Sequence, residues 1–322
     1  MTDRFDLLTQ PWIRVRLLSG DVVELSLTDA LVRAHECADL AGELPTQDAA
    51  VLRLLLAVLH RAHPDAETPD DWAALWTRGQ LDPAPLHSYL DRHRDRFDLL
   101  HPQTPFFQVA ELRTAKGEFT ELARLAPDAP AGHQLFTTRS GSELQALSYA
   151  EAARWVVHCQ AFDASGIKSG AVGDDRVKGG RGYPIGVAWC GWLGLVVVEG
   201  GTLFETLLLT LVLRLPPLAA PEALPVWDRP PQGPAAEGRS APAGPVDLLT
   251  WQSRRIRLHR RLAESLEQLY AGQEREHAGE LAMQFYASAT LPGAERGIDY
   301  ARSAADRAAD RFAWERVASF LE

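Results

Sequence analysis

The chain has 322 residues, of which 46% are hydrophobic, and its 43 acidic and 33 basic side chains give a formal net charge of −10. A chain of this length and apolar content can bury a core of its own, and we expect two domains, or one domain and an appendage. The negative charge argues against a protein coated all over in nucleic acid, because phosphate binding depends on clustered Lys and Arg.

Neither a membrane-spanning segment nor a secretory signal is expected. The longest apolar run, Leu203 to Leu215, is interrupted by Glu205 and Arg214 and is too short to span a bilayer. Asp3 and Asp6 stand where a secretory signal needs a basic stretch followed by apolar residues. We therefore expect a cytoplasmic protein without membrane contacts.

Cysteine usage favours neither a disulfide framework nor a zinc cluster, because the three cysteines are an odd number and have no CxxC spacing. They are expected to be small core residues. The three are Cys37, Cys159 and Cys190.

The first hundred residues carry a hairpin signal followed by helix signals. Apolar and polar residues alternate on both sides of the sequence SGD (19–21), which predicts a β-hairpin in PWIRVRLLSGDVVELSL. Apolar residues at helical spacing predict a buried helix from Asp48 to Ala62, with Thr46 or Asp48 as its N-cap. Further helices are predicted at Pro69–Arg78 and Pro83–Arg94, followed by the proline-marked segment HPQTPFFQV (101–109).

A capping box predicts the helix that leads into the middle of the chain. Ser148, with Glu151 three positions later, opens a helix that runs to Gln160. Further on, VAWCGWLGLVVVEG (187–200) is rich in β-forming residues, and TLFETLLLTLVLR (202–214) predicts a strongly apolar helix.

Between these elements lies a glycine-rich stretch, GIKSGAVGDDRVKGGRGYPIG, from Gly166 to Gly186. It places seven of the 24 glycines in 21 residues. Glycine inside a helix or strand costs roughly 0.5 to 1 kcal/mol relative to alanine, so we expect a loop without regular structure. The stretch is also a basic cluster, with Lys168, Arg176, Lys178 and Arg181.

The last third of the chain divides at a proline-rich segment. Nine prolines fall between Pro216 and Pro245, which excludes helix and central strand and indicates a long extended connection. The predicted fold class is α+β, a large mixed N-terminal domain followed by a C-terminal helical bundle. The predicted domains are residues 1–215, the α/β domain; 216–245, the connection; 246–260, a strand (248–258) returning to the first domain; and 261–322, the bundle.

A second basic cluster follows the connection, in a run from Ser253 to Ala263 that contains no acidic residue. Two interpretations stay open, a solvated face of a helix or strand and a contact with phosphate or a partner. The arginines are Arg254, Arg255, Arg257, Arg260 and Arg261.

No motif indicates catalysis, a metal or a cofactor. Lys168 lies in a glycine-rich stretch, but a P-loop needs glycine directly before the lysine, where Ile167 stands. The histidines lack metal-site spacing, and neither Ser165 nor Ser169 has a GxSxG elbow. Glycine backbone with interleaved cations instead suits a narrow groove such as the DNA minor groove, about 6 Å wide. The alternative is a structural loop packed on the sheet.

Longer stretches of the chain resemble the large subunit of the type I-E Cascade, the CRISPR RNA-guided surveillance complex. They are LLTQPWIRV, LSLTDAL, ELPTQDAAVLRLLLAVLHRA, HPQTPFFQV, LSYAEAARWVVHCQAFDASGIKSGAVGDDRVKGGRGYPIG and GPVDLLTWQSRRIRL, in order over about residues 5 to 258. The resemblance implies an N-terminal α/β domain of unusual fold, a C-terminal four-helix bundle and no catalytic activity. It also implies recognition of the short motif that flanks the target, the PAM, from the minor groove, help in opening the duplex, and a signal to the helicase-nuclease.

Site residues follow from the same resemblance. The family's glycine loop corresponds to Ala164–Gly170, and the family's loop that contacts the RNA handle corresponds to about Gly132–Gln145. Ser165 replaces a glycine that lies against the PAM, so we expect a different PAM preference. The implied PAM contacts are Ser165, Gly166, Ile167, Lys168, Ser169 and Gly170, and the residues of the RNA-handle loop are Phe136 and Thr138. Contacts of Arg176, Lys178 and Arg181 with the DNA backbone are inferred from charge alone.

The implied partners are double-stranded target DNA, the 5′ handle of the CRISPR RNA, the backbone, small and RNA-end-binding subunits, and the helicase-nuclease. The resemblance ends near Leu258, where the family continues into a β-rich wing with a lysine finger and a glutamine wedge, and we assign neither to this chain. Two other functions stay open, a purely structural ribonucleoprotein subunit that caps the 5′ end of the RNA and an NTP-dependent enzyme. The second would need a phosphate loop and metal ligands, which the sequence does not offer.

Overall fold

The described part of the chain is a mixture of helices and small antiparallel sheets, in agreement with the predicted α+β class. It falls into two compact units, one up to Arg257 and one from Leu258 onward. The computed structural model describes residues 4–63, 66–117, 119–120, 122–127, 147–164, 166–182, 187–191, 195–213, 223–235, 241–259, 278, 282 and 296–310.

The N-terminal hairpin forms where the alternation of the sequence predicts it. Strand β1 (Ile13–Leu17) pairs antiparallel with β2 (Val22–Leu25) on one side and with β3 (Cys37–Leu40) on the other, giving the order β2-β1-β3. Helix α1 (Leu27–Val32) lies between β2 and β3 in the chain. Gly20 occupies the hairpin turn with a φ of 96°, a conformation that glycine adopts at low cost.

The helices of the first unit begin at predicted positions more often than they end there. Helix α4 is two residues shorter than predicted and is followed by a 3-10 turn at Arg94–Arg96, and α6 stops at Thr210. The Ser148 hydroxyl accepts a hydrogen bond from the Glu151 N–H (3.1 Å), which confirms the predicted cap of α5. The helices are α2 (Pro45–Ala62), α3 (Pro69–Arg78), α4 (Pro83–Arg92), α5 (Tyr149–Phe162), α6 (Leu203–Thr210) and α7 (Pro245–Leu249).

Helix α2 is buried over most of its length and packs against α5, α4 and α7. Its start differs from the prediction, because the N-cap is Leu44 and both Thr46 and Asp48 lie inside the helix. Pro45 at the first helical position lacks an N–H, so the start of the helix has one unpaired donor fewer. The Asp48 carboxylate instead accepts from the Gly42 N–H (2.7 Å) and ties down the preceding loop.

The core is filled by aromatic side chains that the sequence spreads over 200 residues. Trp12, Trp155, Phe97 and Phe106 are each less than 2% exposed. The Phe97 ring centroid lies 5.5 Å from that of Phe106 and 5.0 Å from that of Trp227. The three cysteines are free and buried, which confirms their prediction as core residues.

Neither the predicted strand at 248–258 nor the β-rich stretch at 187–200 forms a strand in the described residues. Residues 187–191 and 195–200 contain no strand, and 248–258 hold the end of α7 followed by irregular structure. β-forming side chains fit a pleated surface, but a strand also needs a neighbouring strand to pair with. The Val109 N–H donates to the Ile256 carbonyl (2.9 Å), which attaches this segment to the first unit without forming a strand.

The described part of the proline-rich connection is held against the first unit. A 3-10 turn at Val226–Asp228 buries Trp227 to 3% exposure. The Arg96 guanidinium donates to the carbonyl oxygens of Val226 (3.1 Å), Trp227 (3.0 Å) and Arg229 (2.7 Å). This packing replaces the expected extended linker in residues 223–235, while the predicted domain limits stay predictions.

The second unit is described mainly by helix α8 (Arg296–Asp310). Ala304 and Ala305 are buried on it, whereas Ile298 and Asp299 are exposed. The rest of the predicted bundle lies outside the described residues. A helix long and apolar enough to cross a membrane does not occur in the described part of the chain.

Candidate nucleic-acid interface

The glycine-rich stretch forms a small antiparallel hairpin, so the prediction of a loop without regular structure was wrong. Strand β4 (Lys168–Ser169) pairs with β5 (Arg181–Gly182), with Lys168 opposite Gly182 and Ser169 opposite Arg181. The Gly170 N–H extends the pairing by donating to the Gly180 carbonyl (2.7 Å). We call residues 166–182 the glycine hairpin.

A tight turn closes the glycine hairpin. Gly179 and Gly180 have φ angles of 57° and 74°, and across them Lys178 and Arg181 exchange backbone hydrogen bonds of 3.0 and 3.1 Å. Two successive positive φ angles are the requirement of a type I′ turn, which glycine meets without steric cost. The turn places two exposed cations, Lys178 and Arg181, next to each other.

Gly166 and Gly170 have different environments. Gly170 is buried, and a Cβ at its position would lie 2.4 Å from Val177 Cγ1 and 3.1 Å from the Gly180 carbonyl oxygen. Its small size therefore serves packing inside the hairpin. Gly166 is exposed, has a φ of 151°, and would place a Cβ in open space. Of these two glycines, Gly166 offers free backbone surface to a ligand.

An ion network at the end of α5 anchors the base of the glycine hairpin. Asp163 Oδ2 pairs with Lys168 Nζ (2.7 Å) and accepts a hydrogen bond from Arg254 Nε. The Gln160 side chain, which is 2% exposed, holds the backbone of Arg254 in place. It accepts a hydrogen bond from the Arg254 N–H (2.8 Å) and donates one to the Arg254 carbonyl oxygen (2.9 Å). Lys168 therefore shares its charge with a carboxylate of the same chain.

A second network, around Asp174, holds the segment between the two short strands. The buried carboxylate accepts from the Arg176 N–H (3.1 Å), from Arg176 Nε (3.3 Å) and from Arg255 Nη1 (2.7 Å). Burial alone would raise the pKa of Asp174, but the Arg176 N–H and the Arg255 and Arg176 guanidinium groups lower this pKa to about 2. The carboxylate is therefore ionised at neutral pH and offsets nearby positive charge.

The structure divides the four cations of the glycine hairpin, which include the three predicted DNA-backbone contacts, into two kinds. Lys168 and Arg176 form ion pairs with Asp163 and Asp174. Lys178 and Arg181 are exposed and form no ion pair with a residue that the structure describes. Ile167 and Ser169 are exposed as well, and the Ile167 side chain is 58% exposed.

In its described part the second basic cluster is not a solvated face, because its arginines bind groups of the same chain, and a contact with phosphate or a partner stays a prediction. Arg254 and Arg255 are bound to Asp163 and Asp174, and Arg257 Nη1 donates to the His101 carbonyl (3.3 Å). Sequence reasoning did not predict the partners Asp163 and Asp174, which lie 91 and 81 residues before Arg254 and Arg255 in the chain. Ser165, Phe136, Thr138, Arg260 and Arg261 lie outside the described residues.

The fold and the glycine hairpin together define an α+β protein with a candidate nucleic-acid interface. Within the ranges described above, no group of His, Cys, Asp and Glu side chains could hold a metal ion. The chain belongs to the family of CRISPR-associated protein Cse1, whose sequence model matches residues 6–291. This confirms the family that the sequence motifs predicted.

A CRISPR-associated protein CasA/Cse1 of Thermus thermophilus is 35% identical over 267 residues, which are 80% of this chain and 49% of that protein. Two crystal structures of Cse1 proteins are similar to this chain. That of Thermobifida fusca has 49% sequence identity and a TM-score of 0.74, and that of Acidimicrobium ferrooxidans has 38% sequence identity and a TM-score of 0.71. Each match covers 80% of this chain and 49% of the other chain. A chain of a CRISPR RNA-guided surveillance complex shares the fold at 24% identity, with a TM-score of 0.62 over 77% of this chain and 51% of that one. The chain thus spans about half the length of these relatives.

Proposed function

We propose that this chain is a cytoplasmic, non-catalytic large subunit of a type I-E CRISPR surveillance complex and that its glycine hairpin recognises the PAM of double-stranded DNA. The observation that carries the proposal is the exposed surface of the hairpin. Gly166 leaves its backbone uncovered, and Lys178 and Arg181 stand beside each other without an ion pair to any described residue. A protein of net charge −10 binds DNA through such a local surface.

The narrow width of the minor groove explains why the protein backbone, and not a side chain, would contact the bases. The groove is about 6 Å wide and mainly distinguishes A·T from G·C pairs, so it admits a glycine backbone more easily than a side chain. The exposed Ile167 adds apolar surface beside Gly166. Lys178 and Arg181 would contact the phosphates that border the groove, which positions the hairpin without specifying sequence.

Both ion networks support this assignment, because they fix the hairpin before DNA arrives. Asp163 and Arg254 hold one side of its base, and Asp174 and Arg255 hold the segment between the strands. A binding element that is already ordered loses less conformational entropy on association.

The remaining partners follow from the family. We infer that the loop with Phe136 and Thr138 contacts the 5′ handle of the CRISPR RNA, that the chain joins the backbone, small and RNA-end-binding subunits, and that the complex promotes duplex opening and recruits the helicase-nuclease. The segment after Arg261 would serve assembly. Deleting residues 261–322 should therefore weaken retention of the small subunits and strand opening, and a loss of PAM discrimination alone would contradict this role.

PAM-dependent binding by the reconstituted complex tests the proposal. Complexes with this chain, without it, and with Lys178→Ala and Arg181→Ala together are compared on duplexes that carry or lack a PAM. We expect PAM-dependent binding to require the chain and to weaken in the double variant. A different outcome would make the subunit a structural cap of the RNA 5′ end. In that case the complex needs the chain for RNA protection, but the double variant and Gly166→Leu both bind PAM duplexes as well as the wild type.

A further inference from the structure

A cleft of about 640 Å³ lies on the first unit, between the C-terminal end of α4 and the described part of the proline-rich connection. It is separate from the glycine hairpin, and one described acidic residue, Asp228, lines it. Its basic lining consists of Arg61, Arg92, Arg96, Arg229 and His93.

The one acid in the lining is neutralised inside the wall. The Asp228 side chain is 9% exposed and pairs with Arg61 Nη2 (3.0 Å) and His93 Nε2 (3.1 Å). With the carboxylate paired in this way, the arginines of the cleft dominate its electrostatic potential.

Two of the arginines are structural. Arg96 donates to the carbonyls of residues 226, 227 and 229, and Arg229 Nη2 pairs with the buried Asp247 (3.1 Å). They hold the connection in place and contribute positive charge to the cleft, while their donors are used by the protein.

Of the other two arginines, Arg61 is paired with Asp228, whereas Arg92 keeps guanidinium donors exposed to solvent. Arg92 is exposed, its Nε donates to the Ser88 carbonyl (3.2 Å), and its guanidinium carbon lies 5.7 Å from the centroid of the Tyr89 ring. The Tyr89 hydroxyl in turn accepts from Trp227 Nε1 (2.6 Å), so the ring that supports Arg92 is fixed.

We propose that this cleft is a phosphate-binding site that contacts a nucleic-acid strand, with Arg92 as the donor. Guanidinium groups match the geometry of phosphate oxygens, and the structural arginines add long-range attraction. The cleft also has an apolar side formed by Leu224, Pro230 and Pro231, which suits the sugar of a phosphodiester better than a free phosphate ion. The site goes beyond PAM recognition, since none of its residues belongs to the glycine hairpin.

Binding of a labelled single-stranded DNA oligonucleotide to the full chain tests the site, in a Lys178→Ala, Arg181→Ala background that removes the hairpin cations. Arg92→Ala should lower the affinity about tenfold, the loss of one charge-assisted hydrogen bond, and reduce the slope of log K against log salt by about one unit. Arg78→Ala is the matched control, because Arg78 is an exposed arginine that does not line the cleft. Circular dichroism spectra establish that the variants are folded.

Inorganic pyrophosphate distinguishes the two sources of phosphate. If the oligonucleotide does not bind but pyrophosphate binds and is lost in Arg92→Ala, the site takes a free phosphate compound. Equal affinity and salt slope for Arg92→Ala and Arg78→Ala, or no binding of either probe, would overturn the proposal.

Discussion

Asp163 and Lys168 form the ion pair that closes the base of the glycine hairpin, with 2.7 Å between Oδ2 and Nζ. The same carboxylate oxygen accepts from Arg254 Nε. Lys168 is the cation within residues 164–170, the segment that we propose to contact the PAM. Its charge is therefore shared with Asp163 before any DNA is bound, and this pair limits how strongly Lys168 attracts phosphate.

Asp163→Asn should increase DNA affinity regardless of the PAM and steepen the salt dependence by about one unit, because Lys168 becomes free to contact a phosphate. Asparagine keeps the size of the side chain and an oxygen that accepts from Arg254. Fluorescence anisotropy with duplexes that carry or lack a PAM, over a series of salt concentrations, measures both effects. The gain should vanish when Lys168→Ala is added, and a weaker binding of both duplexes by Asp163→Asn alone would refute the idea.

Gly166→Leu should abolish PAM-dependent binding while the complex still assembles. The new side chain projects into open space and keeps the backbone out of a narrow groove. Gly20→Leu is the control, because Gly20 also has a positive φ (96°) and open space around its Cβ position but lies in the N-terminal hairpin. The measurement is binding of PAM and non-PAM duplexes by both complexes, and wild-type discrimination by Gly166→Leu would rule out a backbone reader at this position.

Gly170→Ala should act on stability. The added methyl would overlap Val177 Cγ1 at 2.4 Å and approach the Gly180 carbonyl oxygen at 3.1 Å. Overpacking of this kind typically destabilises a protein by about 1 to 3 kcal/mol. Thermal unfolding and limited proteolysis within residues 166–182 should both reveal the loss. Val177→Ala removes the nearest atoms and should restore part of the stability, and an unchanged melting temperature for Gly170→Ala would show that the hairpin relaxes freely.

The sequence predicts local structure well and long-range pairing poorly. The Ser148 cap of α5 and the alternation around Gly20 are local signals, and both are confirmed. The arginines at 254 and 255 looked like a basic surface, because their partners Asp163 and Asp174 lie 91 and 81 residues away in the chain. Acidic partners at such separations become visible only in the folded chain.

The glycine stretch shows the same limit within one motif. Composition alone could not separate the turn at Gly179 and Gly180, the packing role of Gly170 and the exposure of Gly166, since these depend on φ angles and on the neighbour Val177. The predicted strand at 248–258 failed for a related reason, because its β-forming side chains find no ladder among the described residues.

The four cations of the glycine hairpin should differ in their effect on salt dependence. Lys178→Ala and Arg181→Ala should each weaken binding about equally across PAM sequences and reduce the salt slope by about one unit. Arg176→Ala should change the slope less, since Arg176 is already paired with Asp174 at 3.3 Å. Equilibrium binding over a salt series ranks the variants, and equal slopes for Lys178→Ala, Arg181→Ala and the wild type would return the turn to a purely structural role.

The low pKa of Asp174 predicts a loss of stability in acid. Its carboxyl has a pKa of about 2 in the folded chain, against about 3.9 in an unfolded chain. Because the folded value is the lower one, the stabilisation is complete above the unfolded pKa and is lost as the pH falls from about 4 to about 2. Denaturant unfolding at a series of pH values should show this decline in the wild type and a flatter profile in Asp174→Asn, which should also be less stable at neutral pH. Asp175→Asn is the neighbouring control, because Asp175 is exposed, and its profile should match the wild type. An Asp174→Asn profile as steep as that of the wild type would show that other carboxylates cause the acid sensitivity.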